Sequence, residues 1–311
     1  MNDQVAGISY ITVSVANMEE ALAFWTGQLG MELRARRNGA DAGASALLGV
    51  APDEIAGQAV IGSPGAEDGR IYLVQFAEPG EPVRLGSAPT DLGPKNLDIN
   101  CTDMPARMDE LKKAGYAFRS DFSEYELNGL QVREVQMPGH DGTNIVFIEV
   151  AGEQDEFSTP FSDRGYAAVT SFVIIVPDTL PEAEFYRELF GFDELLHHRL
   201  SGPEIEAVVG LPPGAALELR MLGRQDSPFG RVELVSYEGA PGANLFAKAH
   251  PPATGILGGG FVAAAADGFL QRAEALSLAV HDRGECATVL GNYRVYKATT
   301  PAGFGFCVLV A

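Results

Sequence analysis

The segment Val232-Glu233-Leu234-Val235 sets a carboxylate inside an apolar, strand-like run, where an inward charge is costly unless it is paired or put to use. Glu233 is therefore the first candidate for a general base or a ligand anchor. The plainer alternative turns it outward, or pairs it with Arg220 or Arg231. Asp98 is the second candidate: in Asn96-Leu97-Asp98-Ile99-Asn100-Cys101 it shares a strand face with Asn96, and a carboxylate there also needs a partner. Tyr10 shares a face with Thr12 and Ser14, so a phenol and hydroxyls could donate hydrogen bonds to a substrate oxygen, unless the ring only fills space. Among the five histidines, His281 and His198 retain a catalytic option because imidazole titrates near neutrality, but no HxxxH pair is present. Cys101, Cys286 and Cys307 are scattered without CxxC spacing, which predicts reduced thiols rather than a disulfide frame or a zinc site. Gly258-Gly259-Gly260 leads into a strand rather than a helix, so it predicts no phosphate loop.

The elements that must position these residues are written twice. Gly7 to Leu33 and Ala168 to Glu194 each begin with a β-branched strand, turn polar at Asn17 or Asp178, and run through an amphipathic helix that stops at Gly30 or Gly191. In the first copy Asn17 caps the helix with Glu20 reaching back; in the second, Thr179 and Glu182 are expected to play those parts. One constant shift, without a gap, also carries Gly49 onto Gly210, Pro52 onto Pro213 and the strand from Gly69 onto that from Gly230. Each half then holds a further strand–helix–strands unit, starting near Asn96 and near Gly260. Asn38 to Ser45 reads as a loop and Glu204 to Val208 as a strand. The polar, proline-bearing stretch 152–164 marks a linker between an N-terminal domain, 1–151, and a C-terminal one, 165–311.

A chain of 311 residues suits two such domains, and its composition is that of a soluble globular protein. The formal charge of −20 argues against a phosphate-backbone partner, so nucleic acid is not expected. The apolar run from Ile256 to Ala266 is too short to span a bilayer, and the N-terminus lacks the basic start and apolar core of a signal peptide. A cytoplasmic protein without membrane contact is the expectation, with a homodimer as the candidate assembly.

On the strand and helix words EEALAFW…LGMEL and PEAEFYRELFGF, the endings PGHDGTNIVFIEV and TPAGFGFCVLV, and the fourfold order of elements, the chain resembles the vicinal oxygen chelate superfamily of glyoxalase I, extradiol dioxygenases and bleomycin-resistance proteins. The resemblance covers nearly the whole chain. It implies an α+β fold of four βαβββ units forming two half-open mixed-sheet barrels in tandem, each holding ligand on its concave face. Metal-bearing relatives place ligands on the first and fourth strands of each unit. At those positions this chain carries Tyr10, Tyr72, Asn96 and Val146, then Ser171, Glu233, Gly260 and Cys307. Only Glu233 is a ligand of the family type, so no metal site and no cofactor are expected. The resemblance then implies metal-independent lyase or isomerase chemistry on a carbonyl-bearing, partly apolar small molecule. Glu233 or Asp98 would act as base, with Tyr10, Tyr72 and His281 as further catalytic candidates; Asn96, Thr12, Ser171, Arg220, Tyr237 and Cys307 would contact substrate. A ligand-sequestering protein, and a metal-dependent dioxygenase or glyoxalase with displaced ligands, are the alternatives.

Overall fold

The computed structural model describes residues 5–127, 129–151 and 160–311, so the expected linker lies largely outside the described residues. Four units follow one another. The first comprises β1 (Tyr10–Ser14), α1 (Met18–Leu22, continued by a π-helical stretch Ala23–Gln28), β2 (Glu32–Asn38), α2 (Ala42–Leu48), β3 (Ile55–Gly62) and β4 (Arg70–Phe76). The second has β5 (Gly93–Cys101), α3 (Met104–Lys113), β6 (Ser123–Leu127), β7 (Leu130–Pro138) and β8 (Asn144–Ala151). The third has β9 (Tyr166–Ile175), α4 (Thr179–Phe190), β10 (Asp193–Ser201), α5 (Pro203–Val209), β11 (Ala216–Gly223) and β12 (Arg231–Glu238). The last has β13 (Gly255–Ala263), α6 (Ala266–Ala275), β14 (His281–Thr288), β15 (Gly291–Thr299) and β16 (Gly305–Val310). Among the described residues no helix is long and apolar enough to cross a membrane.

The strands form two curled, eight-stranded mixed sheets, as the fold expectation required, but each sheet draws on both halves of the chain. β1 pairs antiparallel with β13, joining the first unit to the last, and β5 pairs antiparallel with β9, joining the two middle units. Each bowl is thus shared between residues 1–151 and 165–311, and the one formed by the middle units sets Asn96 and Asp98 against β9 of the second half. Period-two alternation then decides what faces where. Ile11 and Val13 on β1, and Leu97 and Ile99 on β5, enter a core shared by both sheets and their helices, while Tyr10 and Thr12, or Asn96 and Asp98, turn into the bowls. The duplicated glycines knit the two sheets: Ile8 N donates to Gly230 O at 2.7 Å, and Gly230 N to Val169 O at 3.2 Å. Gly230 sits at φ +67 with Ile8 O 2.5 Å from where a Cβ would be, a position open only to glycine.

Helix entry follows the sequence in the first copy and departs from it in the second. Asn17 Oδ1 accepts from the backbone of Glu19 (3.0 Å) and Glu20 (3.3 Å), and its amide donates to Glu20 Oε1 at 2.9 Å. In the second copy Asp178 is the cap, accepting from Leu180 N at 2.9 Å. Glu182 is instead buried and holds the turn before β16, accepting from Thr300 Oγ1 at 2.7 Å and from Ala302 N. Two further expectations are corrected. The run read as a loop becomes α2, capped by Asp41 and closed by Gly49 at φ 79; the run read as a strand becomes α5, with Pro203 in its first turn and Gly210 at φ 80.

The cross-half pairing has a direct consequence. Residues 1–151 produced alone would leave β1 and β5, both central strands, without their antiparallel neighbours, and unpaired strand edges recruit other chains. This fragment is expected to elute as a dimer or larger in size-exclusion chromatography with light scattering. A folded, monomeric fragment would contradict the pairing.

Candidate functional site

The bowl of the sheet formed by the two middle units holds the chemistry. Asp98 on β5 lies opposite Ser171 on β9, and Glu233 on β12 is one strand further along. Ser171 Oγ lies 2.8 Å from Asp98 Oδ2 and 3.4 Å from Glu233 Oε2, so one hydroxyl links the two carboxyl groups. Both are buried, Asp98 at 3% and Glu233 at 9% exposure, and Asp98 Oδ1 has no hydrogen-bond partner among the described residues. Glu134, half-buried on β7, stands close enough to raise the field on Glu233 and accepts from Tyr125 OH on β6 at 2.7 Å. These groups face a cavity of about 350 Å³ whose walls are largely aliphatic, with Leu127, Val132 and Ile148 on one side and Leu195, Leu219 and Met221 on the other.

Three carboxyl groups in one apolar bowl cannot all ionise cheaply. Burial pushes Glu233 up to about 7, with the Glu134 carboxylate adding to the shift. Burial, then Glu233, raise Asp98 well above the usual carboxylate range. Glu134 is raised by burial, against the pull of the Tyr125 hydroxyl. The opposing charge is Lys95, which donates to Tyr237 OH at 3.2 Å and lies 5.6 Å from that ring's centre. Burial, then Arg84 and Arg119, press Lys95 down to about 7. A β-bulge between Pro94 and Asn96 breaks the alternation of β5 at Lys95. Asn96 does not touch the carboxylates; its Oδ1 accepts from Asn144 Nδ2 at 2.7 Å.

Asp98, Ser171, Glu233 and Asn96 are thus brought together from the sequence candidates, with Tyr237 on the far side of Lys95. Tyr10, Tyr72, Thr12 and Cys307 lie in the other bowl. There the Tyr10 and Tyr72 rings meet edge-on at 5.9 Å, Tyr72 OH donates to Gln58 Oε1 at 2.5 Å, and Tyr10 lies over Gly260. A separate cavity of about 240 Å³ remains beside them, lined by Tyr10, Thr12, His250, Lys297 and Cys307. Two expectations are corrected by position. Arg220 points away from the site to the α4 side, bonding Glu194 (2.7 Å), Glu218 (3.0 Å) and Thr179 (3.0 Å), so it neither neutralises Glu233 nor lines the cavity. His281 is exposed at the start of β14, in the other sheet. Glu134, Tyr125 and Lys95 were not among the candidates.

Gly260 lacks a side chain where Tyr10 needs room: a Cβ there would fall 2.1 Å from Tyr10 Cε1. Gly260→Ala is expected to cost about 1–3 kcal/mol by overpacking. Adding Tyr10→Val should recover part of the loss in urea denaturation, and a double variant no more stable than Gly260→Ala would contradict this packing.

Two half-open bowls built from four βαβββ units define a vicinal oxygen chelate fold. In this chain residues 7–147 match the model of the Glyoxalase/Bleomycin resistance protein/Dioxygenase superfamily. Its fold is similar to that of glyoxalase I from Zea mays, at 14% identity over 98% of this chain and 92% of that one, with a TM-score of 0.64. It is likewise similar to a putative dioxygenase from Bacillus subtilis subsp. subtilis str. 168, at 15% identity, 99% and 86% coverage and a TM-score of 0.61. At such identities the likeness shows the fold alone. No curated protein matches the chain.

The metal implied by many members of this fold does not suit the residues present. In the site bowl the family's ligand positions carry Val146, which has no donor, and Ser171, whose hydroxyl is engaged between Asp98 and Glu233. In the other bowl they carry Tyr10, Tyr72, Gly260 and Cys307, with burial pushing the Cys307 thiol up to about 11. Among the described residues no group of three or more His, Cys, Asp or Glu side chains is placed to hold an ion.

Proposed function

We propose that the chain is a metal-independent enzyme, a lyase or isomerase that moves protons on a small, partly apolar molecule bearing a carbonyl group. The observation that carries this reading is the Ser171-linked pair of Asp98 and Glu233 at the floor of an aliphatic cavity. Two carboxyl groups so placed share protons near neutral pH, which supplies an acid and a base from the same pair. Glu233, pushed to about 7, suits the base that takes the proton next to the carbonyl. Asp98, protonated, donates through its unpartnered edge to the carbonyl oxygen as the C–H electron pair shifts onto it, giving an enol. Return of a proton to another carbon completes an isomerisation; loss of a β-substituent completes an elimination. The aliphatic walls keep water from the dyad and bind the apolar part of the substrate.

The test is protein-dependent exchange of α-protons in D₂O, followed by NMR, across a panel of apolar ketones and keto acids. Exchange of at least one compound above the buffer rate is expected. A second reading, sequestration of a cationic apolar ligand, draws on the excess of Asp98, Glu134 and Glu233 over Lys95. Tight binding of apolar amines, recovered unchanged and without exchange of any ketone, would favour it and defeat the first.

A further inference from the structure

At the other end of the same bowl lies a separate polar pocket of about 150 Å³, lined by Arg84, Lys95, Arg119, Pro138, Thr143 and Asn144, among others. An amide layer divides it from the carboxylate cavity: Asn144 Nδ2 donates to Asn96 Oδ1 at 2.7 Å and to Gln136 Oε1 at 3.4 Å. Among the described residues no carboxylate lines the pocket, although the chain carries 42 acidic residues against 22 basic ones. None of its three cations appears in an ion pair among the described residues. The Arg84 guanidinium is fixed by the carbonyls of Pro94 (3.3 Å), Ala88 (3.2 Å) and Asp91 (3.1 Å). Lys95 is 5% exposed and spends one donor on Tyr237 OH. Two buried atoms of pocket-lining residues, Thr143 Oγ1 and Asn144 Oδ1, have no partner among the described residues.

A buried ammonium in no direct ion pair and a pair of polar atoms without partners among the described residues are each destabilising, and they converge on one space. The cations call for an anion with several acceptor oxygens. Asn144 Oδ1 accepts only, and so calls for a donor on the same ligand. We infer that this pocket binds a hydrogen-bearing oxyanion, namely phosphate or the phosphate group of a monoester. Arg84, Lys95 and Arg119 take its charged oxygens, Thr143 donates to one of them, and its hydroxyl group donates to Asn144. The site is independent of the proposed acid–base dyad, and stands or falls without it.

The experiment is isothermal titration of the full chain at pH 6.5 with inorganic phosphate, sulfate, chloride and glycerol phosphate at matched ionic strength, on wild type, Arg119→Gln and Thr143→Val. Phosphate is expected to bind saturably, with sulfate at least tenfold weaker because it carries no proton at that pH. Arg119 is exposed, so Arg119→Gln should fold normally and lose at least tenfold in affinity; Thr143→Val should also weaken binding. Tighter binding of glycerol phosphate would assign the site to a monoester, and weaker binding to free phosphate. Phosphate heats no different from chloride, sulfate binding as tightly as phosphate, or wild-type affinity in Arg119→Gln would overturn the inference.

Discussion

Asp98→Asn and Glu233→Gln are each expected to lower the exchange or turnover rate by about 10²–10⁴-fold, the usual worth of a positioned proton-transfer group. Binding of the same compound should change little, because both replacements keep the shape and much of the hydrogen bonding of the carboxyl group. The dyad works as a unit through Ser171, so Asp98→Asn/Glu233→Gln should fall little below the worse single variant. Ser171→Ala leaves both carboxyl groups in place and is expected to be the milder lesion. Steady-state rates with an accepted substrate, beside its dissociation constant from titration, separate these outcomes. Multiplicative losses in the double variant would mean that Asp98 and Glu233 act separately, and an unchanged rate in either single variant would remove that residue from the chemistry.

The second large effect is on stability against pH. Glu233 is raised from its ordinary 4.5 to about 7, and Asp98 and Glu134 are raised as well. In the interval between the unfolded and folded values the native state holds more protons than the unfolded chain, so stability falls as pH rises. These groups therefore cost nothing near pH 4 and most of their penalty is felt by pH 7 to 8. For Glu233 the displacement amounts to about 3 kcal/mol. Lys95 works in the other sense: lowered from 10.5 to about 7, it makes the native state bind fewer protons than the unfolded chain, and stability rises as pH climbs between those values. The site thus contributes a minimum of stability near neutrality. Urea unfolding from pH 4 to 10 should show Glu233→Gln equal to wild type at pH 4 and more stable at pH 8, while Lys95→Met should be more stable at pH 7 and lose that advantage by pH 10. A wild type that gains on Glu233→Gln with rising pH would reverse the assigned sign.

The parts of this arrangement that were legible in the sequence are those written in local pattern. The duplicated strand and helix words gave the four units, and burial of Ala21, Phe24 and Trp25, or Ala183, Phe185 and Tyr186, follows from their helical spacing. Asp98 and Glu233 stood out because a carboxylate interrupts an apolar alternation. Strand partnership was not legible, since nothing in β1 or β5 encodes whether the antiparallel neighbour comes from its own half or the other. Tyr125 and Glu134 were missed because β6 reads as polar and its partner β7 mixes charges; the usable signal was that Tyr125 alternates with Leu127, and Glu134 with Val132. Lys95 was hidden by a bulge, which breaks the period on which face assignments rest. α2 and α5 carried their own end signals in Asp41, Gly49, Pro203 and Gly210, but their seven residues are too few for periodicity to show.

The most direct measurement is the titration of the Asp98 and Glu233 carboxyl carbons by ¹³C NMR between pH 3 and 10, assigned with Asp98→Asn and Glu233→Gln. The predicted result is two coupled steps, at least one carboxyl remaining protonated past pH 6, and a downward move of the Glu233 step when Asp98 is replaced. Two independent titrations in the ordinary range near 4 would show carboxylates that hold no proton to give, and would contradict the proposed chemistry.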